Sequence, residues 1–345
     1  MLMARQRLSA RLHGRRPARH RAISIVLALG IAGVAVAACS SSPVAAPRNV
    51  ATTTPRPAHT APGTATTSPS ATATFSPSAT ATPEQPGWTV VSRLPSGIAV
   101  DSHSSRRSNG DLVTVLRFHA GLVHYALHAG SIDPPADDAA LPADARPAIG
   151  AGEHAQLLAA FNGGFKMGAG CIPCGVGGME VAGRVLFPLV RGMASLVLNR
   201  NGDASMGVWG HGFPPAGAAV YGVRQTLPPL VSGGRASPNA GDVSAWGATL
   251  GGGLLTARSS VGIDAHGNVL YAASMSALPS DLADALVSAG AVTAMELDIN
   301  PEWIQADTAR SPGGPLRAAV PDQYRPADQY LSGWTRDFVT VLAGP

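Results

Sequence analysis

The chain is poor in charged residues and in cysteine, and it has almost no lysine. Only 13% of its 345 residues are charged, it has three cysteines, and Lys166 is the single lysine. No second Cys or His pair has the spacing of zinc ligands, which argues against a zinc site. The apolar run at residues 23–38 is shorter than the about 20 residues that a membrane-spanning helix needs.

Acidic residues are missing from the first 38 positions, where seven arginines precede or begin the apolar run. This arrangement is typical of an export signal. The run ends in Val-Ala-Ala-Cys at residues 36–39, which resembles a bacterial lipobox. We therefore predict a lipoprotein signal peptide at 1–38 and lipidation of Cys39, which would anchor the exported chain to the outer face of the cell membrane. The alternative is an ordinary signal peptide with an incidental cysteine.

The charge balance changes once the signal is set aside. Beyond residue 38 there are 18 cationic and 21 acidic residues, so the basic isoelectric point comes from the signal. A slightly acidic remainder gives no support to nucleic-acid binding.

Two further segments follow the signal. Residues 39–86 are almost entirely Ser, Thr, Ala and Pro. Such a composition buries too little apolar surface to offset chain entropy, which predicts a disordered tether. Residues 87–345 are numerous enough for one large domain with its own core.

Strand patterns dominate this domain. Alternating residues at 112–118 and 122–127 predict a hairpin, and Asn/Asp/Gly turns predict two more, at 195–209 and 261–273. One helix is predicted from Ser280 to Gly290, and a weaker one around 152–158. We therefore expect an α+β fold, with a mixed, mainly antiparallel sheet and a few packed helices.

Two stretches carry the chemistry. A strand ends in the turn Asn162-Gly163-Gly164, shortly before Lys166. A second strand carries Glu296, Asp298 and Asn300 at alternate positions, so these side chains share one face. Carboxylates in an apolar strand are costly to bury unless they bind or catalyse something.

The order of four motifs resembles the phosphodiester glycosidase family, which includes the uncovering enzyme of mannose-6-phosphate tags. The motifs are Asn-Gly-Gly-Phe at 162–165, Gly-Arg-Val-Leu-Phe-Pro at 183–188, Arg258 ahead of Val-Gly-Ile-Asp at 261–264, and the strand that ends at Asp298. The resemblance covers roughly residues 90–343. It implies a hydrolase that cleaves the bond between a sugar's anomeric carbon and a phosphodiester oxygen.

The resemblance implies roles for particular residues. Asp298 and Glu296 would handle protons or the sugar cation, and Arg258 would act beside them on the phosphate. The structural alternatives are a hydrogen-bonding Asp298, an inward-packed Glu296 and an ion-paired Arg258.

The remaining candidates would bind substrate. Asn162, Gly163, Gly164 and Lys166 would contact the phosphate or sugar, with a tight turn as the alternative for the glycines. A divalent cation could bridge carboxylates and phosphate, although no motif demands one.

One motif departs from the family pattern. The family usually has Asp-Gly-Gly-Gly-Ser where this chain has Asp298 followed by Ile-Asn-Pro-Glu-Trp at 299–303. Asn300 and Glu302 would then help to shape a different subsite, or activity has been lost. The resemblance thus implies a hydrolase of sugar-1-phosphodiesters in cell-envelope glycans, and the departure at 299–303 gives the alternative, a catalytically inactive envelope-glycan binding lipoprotein.

Cys171 and Cys174 lie in a glycine-rich loop after Lys166. Two cysteines this close in an exported protein predict a disulfide that stiffens the loop. A redox pair is the alternative, and the flanking glycines argue against it because such pairs normally open a helix.

Overall fold

The computed structural model describes residues 86–107, 110–134, 140–167, 177–247 and 252–344. The predicted signal peptide, Cys39, nearly all of the predicted tether, and the Cys171–Cys174 pair lie outside these residues. No helix within the described ranges combines the length and the apolar character needed to cross a bilayer.

Strands account for most of the regular structure in the described residues. In chain order they are β1 (Thr89–Leu94), β2 (Gly97–Arg106), β3 (Leu112–Phe118), β4 (Val123–His128), β5 (Leu157–Asn162), β6 (Met179–Val181), β7 (Arg184–Phe187), β8 (Ala194–Asn199), β9 (Ala204–Val208), β10 (Val220–Gln225), β11 (Val231–Ser232), β12 (Arg235–Ala236), β13 (Thr256–Asp264), β14 (Val269–Ala277), β15 (Ala291–Glu296), β16 (Ala306–Thr308), β17 (Arg317–Ala318) and β18 (Phe338–Ala343). The helices are α1 (Ala151–His154), α2 (Pro279–Ser288) and α3 (Gln329–Ser332).

These strands form three antiparallel sheets. The largest has the order β1-β2-β3-β14-β13-β15-β11-β12, the second β7-β6-β10-β8-β9, and the third β17-β16-β5-β18-β4. The predicted α+β class is therefore wrong. Of the helices in the described residues only α2 exceeds about one turn, so the fold is β-rich.

The local predictions succeed where a turn connects two strands that do pair. β8 pairs with β9 and β13 with β14, as their Asn/Asp/Gly turns predict. The predicted helix from Ser280 is confirmed as α2, although its N-cap is Leu278. The predicted hairpin of 112–118 with 122–127 is wrong, because β3 pairs with β2 and β14 while β4 pairs with β18.

Apolar side chains from all three sheets meet in one core. It includes Leu116, Tyr271 and Met295 of the largest sheet, Leu198 of the second, and Phe161 of the third. The opposite face of the largest sheet packs against Leu282 and Leu286 of α2. The polar ends of β5, β15 and β18 are thereby held at one edge of a rigid core.

Candidate functional site

The pairing of β5 with β18 brings two polar segments side by side. One is the predicted turn that begins at Asn162, and the other is the segment just before β18, which the sequence analysis did not identify. Asn162 is the register partner of Phe338, so Asp337 falls beside Gly163. The Gly163 N–H donates to the Asp337 carbonyl oxygen at 2.8 Å, and the Gly164 N–H donates to Asp337 Oδ2 at 3.1 Å. Of the two glycine N–H groups, that of Gly164 therefore binds a carboxylate of the protein, while that of Gly163 binds a backbone carbonyl oxygen.

Asp298 follows β15 directly and lies against the same turn. Its N–H donates to the Gly163 carbonyl oxygen at 3.2 Å, while its own carbonyl oxygen accepts from Ser259 N at 3.1 Å and Ser259 Oγ at 2.9 Å. The two stretches singled out in the sequence thus come together in the fold.

The Asp298 carboxylate is buried and fully engaged. Oδ1 accepts from the N–H groups of Ile299 at 2.8 Å and Asn300 at 3.2 Å, and Oδ2 accepts from Arg336 Nη1. Burial raises the pKa of Asp298 above the usual aspartate range, against the opposing attraction of Arg336 and the backbone donors. A carboxyl with a raised pKa is suited to proton transfer.

Arg336 links Asp298 to a second carboxylate. Its Nη2 lies 3.4 Å from Asp133 Oδ2, and its Cζ lies 5.7 Å from the ring centroid of Trp303. The Arg336 Nε is buried and has no hydrogen-bond partner among the described residues. This guanidinium therefore keeps one donor for a group that the described residues do not supply.

Asp337 is held by a second buried arginine. Arg224 Nε donates to Asp337 Oδ2 at 2.7 Å, and Arg224 Nη2 donates to the Phe165 carbonyl oxygen at 2.6 Å. Neither the Arg224 nor the Asp337 side chain is appreciably exposed. Through Arg224, this ion pair is connected to Phe165, the residue directly after the glycine turn.

Asn162 uses its side-chain amide to organise the site. Nδ2 donates to Ser259 Oγ at 2.9 Å, and Oδ1 accepts from Tyr271 OH at 2.7 Å and from Gln305 N at 3.2 Å. Asn162 is therefore a buried residue whose side chain connects β5 with β13 and β14. Its predicted contact with substrate stays a prediction.

Arg258 and Glu296 form a buried ion pair. Arg258 Nη1 lies 2.6 Å from Glu296 Oε1, and both side chains are 0% exposed. Burial raises the pKa of Glu296 to about 8, although Arg258 favours the ionised form. Arg258 Nη2 and Glu296 Oε2 have no partner among the described residues. The Asp298 charge contributes to the raised pKa of Glu296, so the predicted carboxylate pair is coupled electrostatically.

A small pocket opens beside the glycine turn and Asp298, and its lining does not include Arg258 or Glu296. It is lined by the turn at 162–164, by Asp298, Trp303 and Gln305, and by residues 329–330 and 335–337, and it has room for about one water molecule. It brings together a carboxyl with a raised pKa, a guanidinium and an aromatic ring.

The remaining predicted binding residues lie outside this lining. Lys166 is exposed beside the pocket-forming turn. Asn300 caps the next turn through Oδ1, which accepts from Glu302 N at 3.0 Å, and Glu302 forms a partly exposed ion pair with Arg325 at 3.1 Å.

Sequence reasoning missed four residues that build the site: Asp133, Arg224, Arg336 and Asp337. Arg336 and Asp337 do carry a recognisable signal, because a charged pair immediately precedes the apolar strand β18. Asp133 and Arg224 carry none, since only the pairing of distant strands brings them here.

The described residues contain no group of three or more His, Cys, Asp or Glu side chains placed to hold a metal ion. The divalent cation stays a prediction.

Gly163→Ala is expected to destabilise the fold by about 3 kcal/mol, because overpacking against fixed groups is costly. A Cβ at Gly163 would lie 1.8 Å from Asp337 Oδ2 and 2.7 Å from the Asp337 carbonyl oxygen, and Arg224 prevents that residue from moving aside. Urea unfolding measures the change. Gly150→Ala is the matched control, since no atom lies within 4 Å of its added Cβ and its φ is −75°. Equal stability of the two variants would contradict the close approach.

Comparison with known proteins finds only distant structural similarity. No protein-family model and no curated protein sequence matches the chain. The chain is similar to the catalytic domain of zebrafish N-acetylglucosamine-1-phosphodiester alpha-N-acetylglucosaminidase, auto-inhibited by its pro-peptide, with a TM-score of 0.46, 14% identity, and coverage of 75% of this chain and 88% of that one. It is also similar to a hypothetical protein from Synechocystis, with a TM-score of 0.44, 13% identity, and coverage of 72% and 63%. Similarities this distant do not transfer an activity or a family to this chain.

Proposed function

We propose that this chain is an exported, lipid-anchored hydrolase that cleaves the glycosidic bond of sugar-1-phosphodiesters in cell-envelope glycans. The observation that supports it most is the pocket in which Asp298, with its raised pKa, lies against Arg336 and near Trp303. A carboxyl can transfer a proton, and a cation can stabilise the charge that develops on a departing phosphate.

In this proposal the bond between the anomeric carbon and the phosphodiester oxygen breaks, and its electron pair leaves with the phosphate. A water oxygen bonds to the anomeric carbon, and Asp298 accepts the water proton. Arg336 balances the negative charge on the departing phosphate, which displaces the Asp133 carboxylate from Nη2. The pocket has room for the attacking water, and the sugar lies at its mouth.

The test is hydrolysis of the methyl phosphodiester of N-acetylglucosamine-1-phosphate by the purified full-length chain in ¹⁸O-labelled water, with and without a chelator. Release of free sugar that carries the label is the expected result, because the label then entered at carbon. Label in the phosphate, or sugar-1-phosphate as product, would contradict the proposal. Loss of activity with chelator would establish the predicted cation.

A second candidate function is binding of envelope glycans without turnover. It is favoured by the engagement of Arg336 with two protein carboxylates, which a substrate phosphate would have to displace. Absence of turnover combined with retention of the chain on an envelope glycan would favour this candidate.

A further inference from the structure

Two tryptophans and one arginine form a cluster at the mouth of the pocket. The rings of Trp303 and Trp334 have centroids 5.4 Å apart and planes inclined at 41°. Arg325 Cζ lies 4.5 Å from the Trp303 centroid and 4.6 Å from the Trp334 centroid. We call Trp303, Trp334 and Arg325 the aromatic rim. Because Trp303 also lines the pocket, the rim continues the pocket outward.

The aromatic rim is held in place from several sides. Arg325 Nε donates to the Glu302 carbonyl oxygen at 2.8 Å, and Nη2 donates to Glu302 Oε2 at 3.1 Å. The Trp334 carbonyl oxygen accepts from Gln329 Nε2 at 2.5 Å. A guanidinium against the ring faces adds cation–π attraction. The rim is therefore formed in advance, so a ligand would lose little free energy in ordering it.

The Trp334 side of the rim faces water. Trp334 is 52% exposed, although its ring is large and apolar. A single exposed apolar residue is ordinary in itself. What distinguishes Trp334 is that its ring packs against Trp303, which lines the pocket, and lies beside Arg325. Arg325 Nη1 makes no hydrogen bond within the described part of the chain.

These features fit one chemical class of ligand. A pyranose ring has a face of C–H groups, which packs on an indole ring, and a rim of hydroxyl groups, which accept from a guanidinium. In the proposed function Arg336 holds the departing phosphate, and its Cζ lies 5.7 Å from the Trp303 centroid. The group bonded to that phosphate therefore extends past Trp303 toward Trp334.

We propose that the aromatic rim is a sugar-binding subsite for the leaving-group side of the substrate. The inference rests on the proposed function, which decides which side of the substrate lies at the rim. It identifies the substrate as a phosphodiester between two saccharides. The pyranose next to the phosphate stacks on Trp334, and Arg325 Nη1 donates to one of its hydroxyl groups. The sequence departure at 299–303 thereby acquires a role, because Glu302 and Trp303 support the subsite.

The experiment compares two substrates of the full-length chain that share one sugar-1-phosphate. One carries a methyl leaving group and the other a trisaccharide. Trp334→Ala is expected to lower kcat/KM about tenfold or more for the trisaccharide substrate, and less than about twofold for the methyl substrate. Tyr324→Ala is the matched control, because this ring is 63% exposed and adjacent to Arg325 but makes no ring contact among the described residues.

A binding measurement separates this inference from the proposed function. Calorimetric titration of the free trisaccharide into the unaltered chain, Trp334→Ala and Tyr324→Ala needs no turnover. Binding that only Trp334→Ala weakens, without hydrolysis of either substrate, would support the subsite and overturn the glycosidase. Hydrolysis of both substrates at equal kcat/KM, with no loss of trisaccharide binding in Trp334→Ala, would support the glycosidase and overturn the subsite.

Discussion

Asp298→Asn is expected to lower kcat for sugar-1-phosphodiester hydrolysis by about 10²- to 10⁴-fold, the usual contribution of a group that transfers a proton. The amide has nearly the shape of the carboxyl and can still accept from Ile299 N and Asn300 N. It cannot take a proton from water, and it no longer neutralises Arg336. Steady-state kinetics with the methyl phosphodiester substrate measures the effect.

Asp264→Asn is the matched control for this substitution. Asp264 also follows the pattern of an aspartate at a strand end, because its Oδ1 accepts from His266 N at 2.8 Å and Asn268 N at 2.9 Å. It lies outside the pocket lining. Full activity in Asp264→Asn and loss in Asp298→Asn would separate chemistry from turn capping. Equal activity in the two variants would remove Asp298 from the mechanism.

The pH dependence of kcat/KM is a second test of the role of Asp298. A general base must be ionised to act, so kcat/KM rises as the pH passes its pKa. Because burial raises the pKa of Asp298, this rise should fall above the ordinary aspartate value of 3.8. A rise centred at or below that value would indicate that another group is the base.

Local sequence signals predicted the parts of the fold that local chemistry decides. Gly202 and Gly267 adopt positive φ angles of 86° and 82° in the turns after β8 and β13, and both pairs of strands form as predicted. The helix α2 follows its apolar spacing in the same way.

The failures share one physical cause, which is competition for strand partners. The turn after β3 resembles a hairpin turn, yet β3 finds its partner in β14, far along the chain. The predicted helix at 152–158 shortens to α1 because Leu157 and Leu158 enter β5, where they are fully buried. Burial in a sheet outweighs a weak helical pattern. The α+β expectation failed for this reason.

The residues of the site that lie directly at strand ends could be predicted from the sequence. Asp298 and the turn at Gly163 were identified separately, and the fold joins them through a hydrogen bond of 3.2 Å. The cation that accompanies Asp298 was not identified, because Arg336 reaches it only through the pairing of β18 with β5. Arg258 was the cation expected there, and the fold places it against Glu296.

At pH 9, Arg258→Met is expected to lower the free energy of unfolding by about 3–5 kcal/mol, because it leaves the buried carboxylate of Glu296 without its partner. The double variant Arg258→Met/Glu296→Leu should recover most of this loss, since both charges are then removed together. Urea unfolding of the two single variants and the double variant gives the coupling energy. Arg107→Met is the control: its ion pair with Asp281 at 2.6 Å is partly exposed, so its loss should cost less than about 1 kcal/mol.

The cost of Arg258→Met should also depend on pH. The folded-state pKa of Glu296, about 8, exceeds the ordinary value of 4.5, so the stability linked to its proton is fully present below about pH 4.5 and is lost as the pH rises through 8. Without Arg258 the carboxyl is harder still to ionise, and the loss continues to higher pH. The variant should therefore differ from the unaltered chain more at pH 9 than at pH 5. A cost independent of pH would mean that Arg258 stabilises the fold through packing and its bonds to the carbonyl oxygens of Trp246 and Ala277, rather than through the charge of Glu296.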